Sequence, residues 1–319
     1  MAGAATPQLA AAVSGAGGLG ALGSAMLPTD ELRRQSAAVR ELTDRPFQLN
    51  FFCHERPEID ARTAARAREH FAPFYDELGL GEPPEPVAPP IHFDEDERLE
   101  ALLELRPPVA SFQFGLPRPE ALEAVRDAGI RVLASATTVA EAEQLERRGV
   151  DAVVAQGAEA GGHRGSFLVE GDDAPVGTLA LVPQVVDAVG VPVIAAGGIT
   201  DTRQLAAVLA LGAGAAQIGT AFLRCPESGI SESYRAALRD ARPDGTILTR
   251  YFSGRPGRTL RNRGAEELEA VLPYPVQLSL TAPLLASDDF QPMWSGQSGA
   301  LAREAPAGEI VRELAAAVG

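Results

Sequence analysis

The chain has 319 residues, with 28 basic against 43 acidic side chains and a net charge of −15; it contains no lysine, so every Lys/Arg position is arginine. That excludes Schiff-base and pyridoxal-phosphate lysine chemistry and a Walker A loop. The acidity argues against nucleic acid or an anionic membrane as partner, and 45% hydrophobic with 22% charged residues argues for a globular fold over disorder.

In chain order, Thr6 and Pro7 predict a helix start, with Thr6 as N-cap and Pro7 at the first helical position. That helix runs to about Ser14 and leads into a strand near residues 19–22. A second helix fits 30–42 and a strand fits 47–52. The regularity then breaks: 57–78 reads as a long helix, 81–90 as a proline-rich linker, and 94–105 as a helix with an acidic N-terminal end. This is an insertion between two strands, without a core of its own. From 107 to 223 short apolar runs at 109–113, 131–135, 152–156, 192–196 and 215–219 alternate with helical stretches at 119–128, 138–148, 179–189 and 202–211. Nearly all-apolar strands suit a parallel sheet covered on both faces, and repeated βα units mean a parallel α/β fold. Beyond 223 a helix is expected at 231–241, an arginine-bearing loop at 246–263 and an amphipathic closing helix at 305–318.

The expected fold is a single-domain α/β chain, a (β/α)8 TIM barrel over residues 1–319. Residues 54–106 form a helical insertion between barrel strands 3 and 4, and 224–304 an irregular C-terminal extension. Seven strands are countable and the first element is a helix, whereas a closed barrel has eight strands and normally begins with one. The first barrel strand is therefore expected either within residues 1–5 or missing from this chain. Cys53 and Cys225 alone give no disulfide framework and fit a reducing cytoplasm. No basic segment precedes an apolar core, so no signal peptide is expected. The most apolar long stretch, 179–196, is interrupted by Pro183, Gln184, Asp187 and Pro192 and reads as helix and strand, not as a membrane span.

The densest chemical signal is Gln156-Gly157-Ala158-Glu159-Ala160-Gly161-Gly162-His163-Arg164-Gly165, directly after a predicted strand. Active sites of barrels lie at that end of the strands. Glycines allow close approach of backbone to a ligand, and an imidazole among them can exchange a proton near neutral pH. The plainer alternative is a flexible loop with a solvated histidine. The second signal is Ala195-Ala196-Gly197-Gly198-Ile199 with Gln217-Ile218-Gly219-Thr220, at the ends of the last two regular strands. Backbone N–H groups there form an anion site without any lysine. The alternative is that these glycines only make tight turns.

QGAEAGGHRG, PVIAAGGI and GAGAAQIGTAFL, in this order, resemble the nitronate monooxygenases, FMN enzymes on a TIM barrel. TPQLAAAVSGAGGLGALG, PFQLNFF and WSGQ (residues 294–297) are similar as well. The resemblance implies that Asn50 bonds the flavin ring, that Gln156 and Gly161 contact it, and that Gly197, Gly198, Gln217, Ile218, Gly219 and Thr220 hold its phosphate end. It further implies that His163 faces the substrate: neutral, it would remove an α-proton from a nitroalkane; charged or hydrogen-bonding, it would stabilise a nitronate. The implied reaction consumes an alkyl nitronate, such as propionate 3-nitronate, and O2, giving a carbonyl compound and nitrite. The implied partners are that small molecule and O2, on a cytoplasmic monomer or homodimer. The family's first strand and its Pro-Met-Ala-Gly-like turn have no match here. The same motifs occur in NAD(P)H-dependent flavin reductases, namely enoyl-ACP reductases and NADH:quinone reductases. An inactive flavin-binding scaffold and a flavin-free phosphosugar barrel are further alternatives.

Other residues weigh less. Gly18-Leu19-Gly20-Ala21-Leu22-Gly23 matches G-x-G-x-x-G but follows a helix and lies in a strand, which reverses the dinucleotide-binding context. Cys53-His54 has no second Cys/His pair at ligand spacing, so no metal site is expected. His70 and His92 are expected in solvent, Glu159 as a loop-fixing hydrogen-bond partner. Arginines 250, 255, 258, 261 and 263 are expected as a solvated run, or else as cover for an anion.

Overall fold

The computed structural model describes residues 3–93, 96–168 and 175–316. Helix α1 (Pro7–Gly15) begins where its cap predicts, the Thr6 hydroxyl accepting the Leu9 N–H at 3.0 Å. Strand β1 (Gly20–Gly23), α2 (Thr29–Leu42) and β2 (Phe47–Phe52) follow. The glycine at 20 serves packing: a Cβ there would run into the Ala10 carbonyl of α1. The insertion contributes α3 (Ala61–Glu77) and α4 (Asp96–Leu105); the first two residues of the helix expected at 94–105 lie outside the described residues.

The regular part runs β3 (Val109–Gln113), α5 (Pro119–Asp127), β4 (Arg131–Ala136), α6 (Val139–Arg147), β5 (Ala152–Gln156), a two-residue β6 (Gly162–His163), α7 (Thr178–Ala188), β7 (Val193–Ala196), α8 (Thr202–Ala210) and β8 (Ala215–Gln217). β1-β2-β3-β4-β5-β7-β8 form one curled parallel sheet in that order. This is barrel topology one strand short of eight, with β1 and β8 as its two edges. Residues 3–6 are turn and coil, so no strand precedes α1 among the described residues. The core lies where sheet and helices meet, with Leu22, Leu49, Phe112, Val132, Val153 and Leu181 each at most 1% exposed. β5 is buried at every residue, which is why it reads as continuous apolar sequence. β8 ends at Gln217, earlier than expected, because the chain turns into a short 3-10 helix at Thr220–Phe222.

The C-terminal part holds α9 (Glu232–Arg239), β9 (Thr246–Thr249), β10 (Gly257–Leu260), α10 (Arg263–Glu267), α11 (Leu278–Thr281) and α12 (Ala307–Ala316). The stretch 246–263 is thus not the expected loop. β9 and β10 pair antiparallel, and β10 pairs again with β6, Gly257 opposite His163. The four-residue β10, GRTL, carries no readable alternation, and its partner β6 lies about ninety residues away in sequence. A second apolar cluster joins the insertion to this extension: Ala67, Phe71 and Tyr75 of α3 pack with Tyr251, Leu272, Leu280 and Phe290.

Candidate active site

The loop after β5 is shaped by the last side chain of that strand. Gln156 Oε1 accepts the Gly165 N–H at 2.7 Å, while its Nε2 donates to the His163 carbonyl at 3.0 Å. Gln113, at the end of β3, donates to the same carbonyl at 3.1 Å. Arg164 is fully buried beneath the loop, its Nη1 donating to the carbonyls of Gly157 (2.6 Å) and Gln156 (3.2 Å). Burial pushes this guanidinium below its usual range, and the nearby Glu141 and Glu159 oppose that shift. The backbone of His163 is therefore held from two strands of the sheet and from β10.

The His163 ring lies among Trp294 (4.9 Å between centroids), Tyr274 (5.6 Å), Phe114 (5.9 Å) and Phe52 (6.4 Å). Its Nε2 stands 2.7 Å from the Ser253 hydroxyl. The Arg255 guanidinium lies over the Phe114 ring at 4.0 Å, in a cation–π stack. Burial first, and then the Arg255 charge, push the imidazole down to about 3. His163 is thus neutral at pH 7 and offers one donor and one acceptor nitrogen.

Beside this box four turns converge. A Cβ on Gly157 would overlap the Thr178 hydroxyl and backbone nitrogen, so glycine lets β5 meet the start of α7. Glu159 Oε2 accepts the Thr178 N–H (2.8 Å) and hydroxyl (2.9 Å), and the Thr178 hydroxyl approaches the Gly197 carbonyl at 2.9 Å. Gly197 and Gly198 take φ of +110° and +70°, conformations that favour glycine. The segment at 294–299 closes the cluster. Gly296 N–H donates to Thr220 Oγ1 (2.9 Å), Gln297 N–H to the Glu159 carbonyl (3.0 Å), and Ser298 Oγ to the Gly198 carbonyl (2.8 Å). Among the described residues the backbone N–H groups of Gly198 and Gly219 donate to no protein atom. They lie just past the C-terminal ends of the adjacent parallel strands β7 and β8. Half-buried and unpaired, they suit an anion with several acceptor oxygens.

The family profile for nitronate monooxygenase matches residues 1–317. The chain belongs to the nitronate monooxygenase family. It is similar to the Pseudomonas aeruginosa nitronate monooxygenase, 44% identical over 326 aligned positions that span 98% of this chain and 93% of that one. Among solved structures it is similar to a nitroalkane oxidase from Streptomyces ansochromogenes, with a TM-score of 0.90 and 41% identity, covering 99% of this chain and 92% of that one. FabK from Thermotoga maritima matches at a TM-score of 0.73 and 29% identity, covering 99% and 90% of the two chains. The protein is accordingly an oxidoreductase of this family, whose chemistry is oxidation of nitronates or nitroalkanes. No helix among the described residues is long and apolar enough to cross a membrane.

In this nitronate monooxygenase-family chain, Gln156, Gly161, Gly197, Gly198, Gly219 and Thr220 lie at or beside the converging turns. Asn50 lies three strands from β5, near the end of β2, where its Nδ2 donates to the Ser111 hydroxyl at 3.0 Å. Gln217 is exposed and Ile218 half-buried, because β8 is a sheet edge. Glu159 fixes the loop, as its position suggested. The arginine run is not simply solvated. Arg258 is buried, its Nε donating to the Ala158 carbonyl at 3.0 Å, and Arg255 stacks in the site wall, while Arg263 pairs with Glu77 and Glu267 at the surface. His70 and His92 are also half-buried, contacting Phe71 and His54 respectively. His54 is buried, with Nδ1 donating to the Glu55 carbonyl, and no metal-ligand cluster occurs among the described residues.

Gln113, Ser253, Tyr274 and Phe114 were not legible as site residues. Each is an ordinary residue type in an unremarkable local pattern, brought to His163 only by folding. Trp294 had a sequence signal, in the segment WSGQ, and Phe52 had one in PFQLNFF.

Proposed function

We propose that the protein oxidises alkyl nitronates with O2 to a carbonyl compound and nitrite, using FMN, as a one-domain cytoplasmic enzyme acting as monomer or homodimer. The observation that carries this reading is a neutral His163 in an aromatic box with Arg255 in its wall, beside turns whose N–H groups are unpaired. Those donors fit a phosphate monoester in a chain without lysine. In this reading Gly197, Gly198 and residues 217–220 hold the phosphate, while Asn50, Gln156 and Gly161 hold the ring system. FMN, when bound, supplies the electron transfer between nitronate and O2.

His163 then orients the substrate as a neutral hydrogen-bonding group, held by Ser253. A base whose conjugate acid titrates near 3 removes an α-proton poorly at pH 7, so the substrate is taken as a preformed anion. The positive charge facing that anion is Arg255, fixed against Phe114. The aromatic walls exclude water and strengthen this attraction.

Anaerobic mixing tests the reading. Propionate 3-nitronate is expected to bleach the flavin absorbance rapidly, and NADH to leave it. Rapid bleaching by NADH alone would instead establish a flavin reductase. Purified protein that is colourless and takes up no FMN would establish an inactive scaffold. His163→Ala is expected to lower nitronate turnover; unchanged turnover would remove the role given to His163.

A further inference from the structure

Glu141 sits in the first turn of α6, a βα unit before the His163 loop, and is 0% exposed. One carboxylate oxygen, Oε2, accepts the Thr137 N–H (2.6 Å), the Thr137 hydroxyl (2.8 Å) and the Thr138 N–H (3.2 Å). That side completes a capping box for α6. The other oxygen, Oε1, does something a cap does not need. It accepts the N–H groups of Phe167 (2.6 Å) and Leu168 (3.0 Å), four and five residues beyond His163. Five donors converge on one carboxylate, which saturates it.

The chain between His163 and this anchor is fastened almost group by group. The Arg164 N–H donates to the Pro256 carbonyl at 2.8 Å, and the Gly165 N–H to Gln156 Oε1 at 2.7 Å. The Arg255 guanidinium donates to the carbonyls of Arg164 and Ser166. Gln113 and Gln156 hold the His163 carbonyl at the near end. Glu141 holds the far end, and its charge also attracts the buried Arg164 side chain.

We infer that Glu141 is a positioning residue for His163: it ties the far end of the 163–168 segment to the neighbouring βα unit and thereby sets the imidazole against Ser253 and the substrate. This rests on the reading of His163 proposed above.

The test uses the full chain with 15N-labelled histidine. Glu141→Gln keeps the length but turns an amide N–H₂ toward one of the two donor sets. The expected result is a shifted His163 imidazole signal, amide exchange at Phe167 and Leu168 faster by about ten-fold or more, and kcat down by about ten-fold or more with KM within about two-fold. If Glu141→Gln fails to fold, Glu141→Asp carries the test, since it keeps the charge and loses reach. A folded variant with unchanged His163 signals overturns the inference. So does a shifted signal with unchanged kcat, provided His163→Ala abolishes turnover. Where His163→Ala leaves turnover intact, the failing statement is the role of His163, and the imidazole and exchange readouts still judge Glu141 separately.

Discussion

His163 Nε2 and the Ser253 hydroxyl oxygen lie 2.7 Å apart although ninety residues separate them in sequence. The hydroxyl also accepts the Arg255 N–H at 3.3 Å, so its position is set by the turn before β10. With the Ser253 contact removed, the imidazole keeps its aromatic walls but loses the polar contact that fixes its rotation. Ser253→Ala is expected to lower nitronate turnover roughly 10- to 100-fold while FMN affinity stays near that of the unmodified protein. Nitrite release and flavin fluorescence titration measure the two separately.

His54 and His163 make stability fall in acid. His163 is pushed down to about 3 and His54 to about 4, both chiefly by burial. An unfolded histidine titrates near 6.5, so below that pH the unfolded chain binds protons that the folded chain refuses. The stabilising contribution is complete above about pH 6.5 and is lost as pH falls toward the folded values. Each histidine then removes about 1.4 kcal/mol per pH unit. Urea unfolding between pH 7 and pH 4 is expected to show this slope, and His54→Phe to flatten it.

Gly157→Ala is expected to disrupt the cofactor side of the site. The added methyl overlaps the Thr178 hydroxyl and nitrogen, forcing β5 away from α7. Since Thr178 also contacts Glu159 and Gly197, the displacement reaches the turn at Gly197 and Gly198. FMN binding measured by fluorescence quenching is expected to weaken by about ten-fold or more.

Arg255→Leu removes the charge in the substrate wall. The KM for an anionic nitronate is expected to rise by roughly one order of magnitude. Arg255→Lys is expected to recover part of this, because it keeps the charge and loses the planar stack on Phe114. Steady-state kinetics at low and high salt check the electrostatic origin, since a charge effect shrinks with ionic strength.

The sheet edges are expected to exchange first. β8 exposes Ala215 and Gln217, whereas β5 is buried at every residue and paired on both sides. Hydrogen exchange read by mass spectrometry should show residues 215–217 exchanging well before 152–156. Equal protection at both strands would contradict an open edge at β8.

Strands and helices of the regular part were readable because each is written in a short window. β3 and β5 fall where apolar runs of five residues stand, and α6 falls within the helical stretch expected at 138–148. The sheet over 246–260 was not readable, because β10 draws its order from Gly162, His163 and β9 instead of from its own pattern. The same reason hid half of the site. A serine at 253 or a glutamine at 113 has no local mark that distinguishes it from a solvent-facing residue.

By itself the sequence determined the parallel βα order, the glycine turns at the strand ends, and the absence of any lysine to hold an anion there. These follow from chain-local constraints: side-chain periodicity, backbone freedom at glycine, and composition. Only the tertiary structure decided that His163 is neutral, that Arg255 supplies the charge beside it, and that Glu141 grips the segment following it. Those properties depend on desolvation and on distances between side chains far apart in the chain, and neither exists until the fold has closed around them.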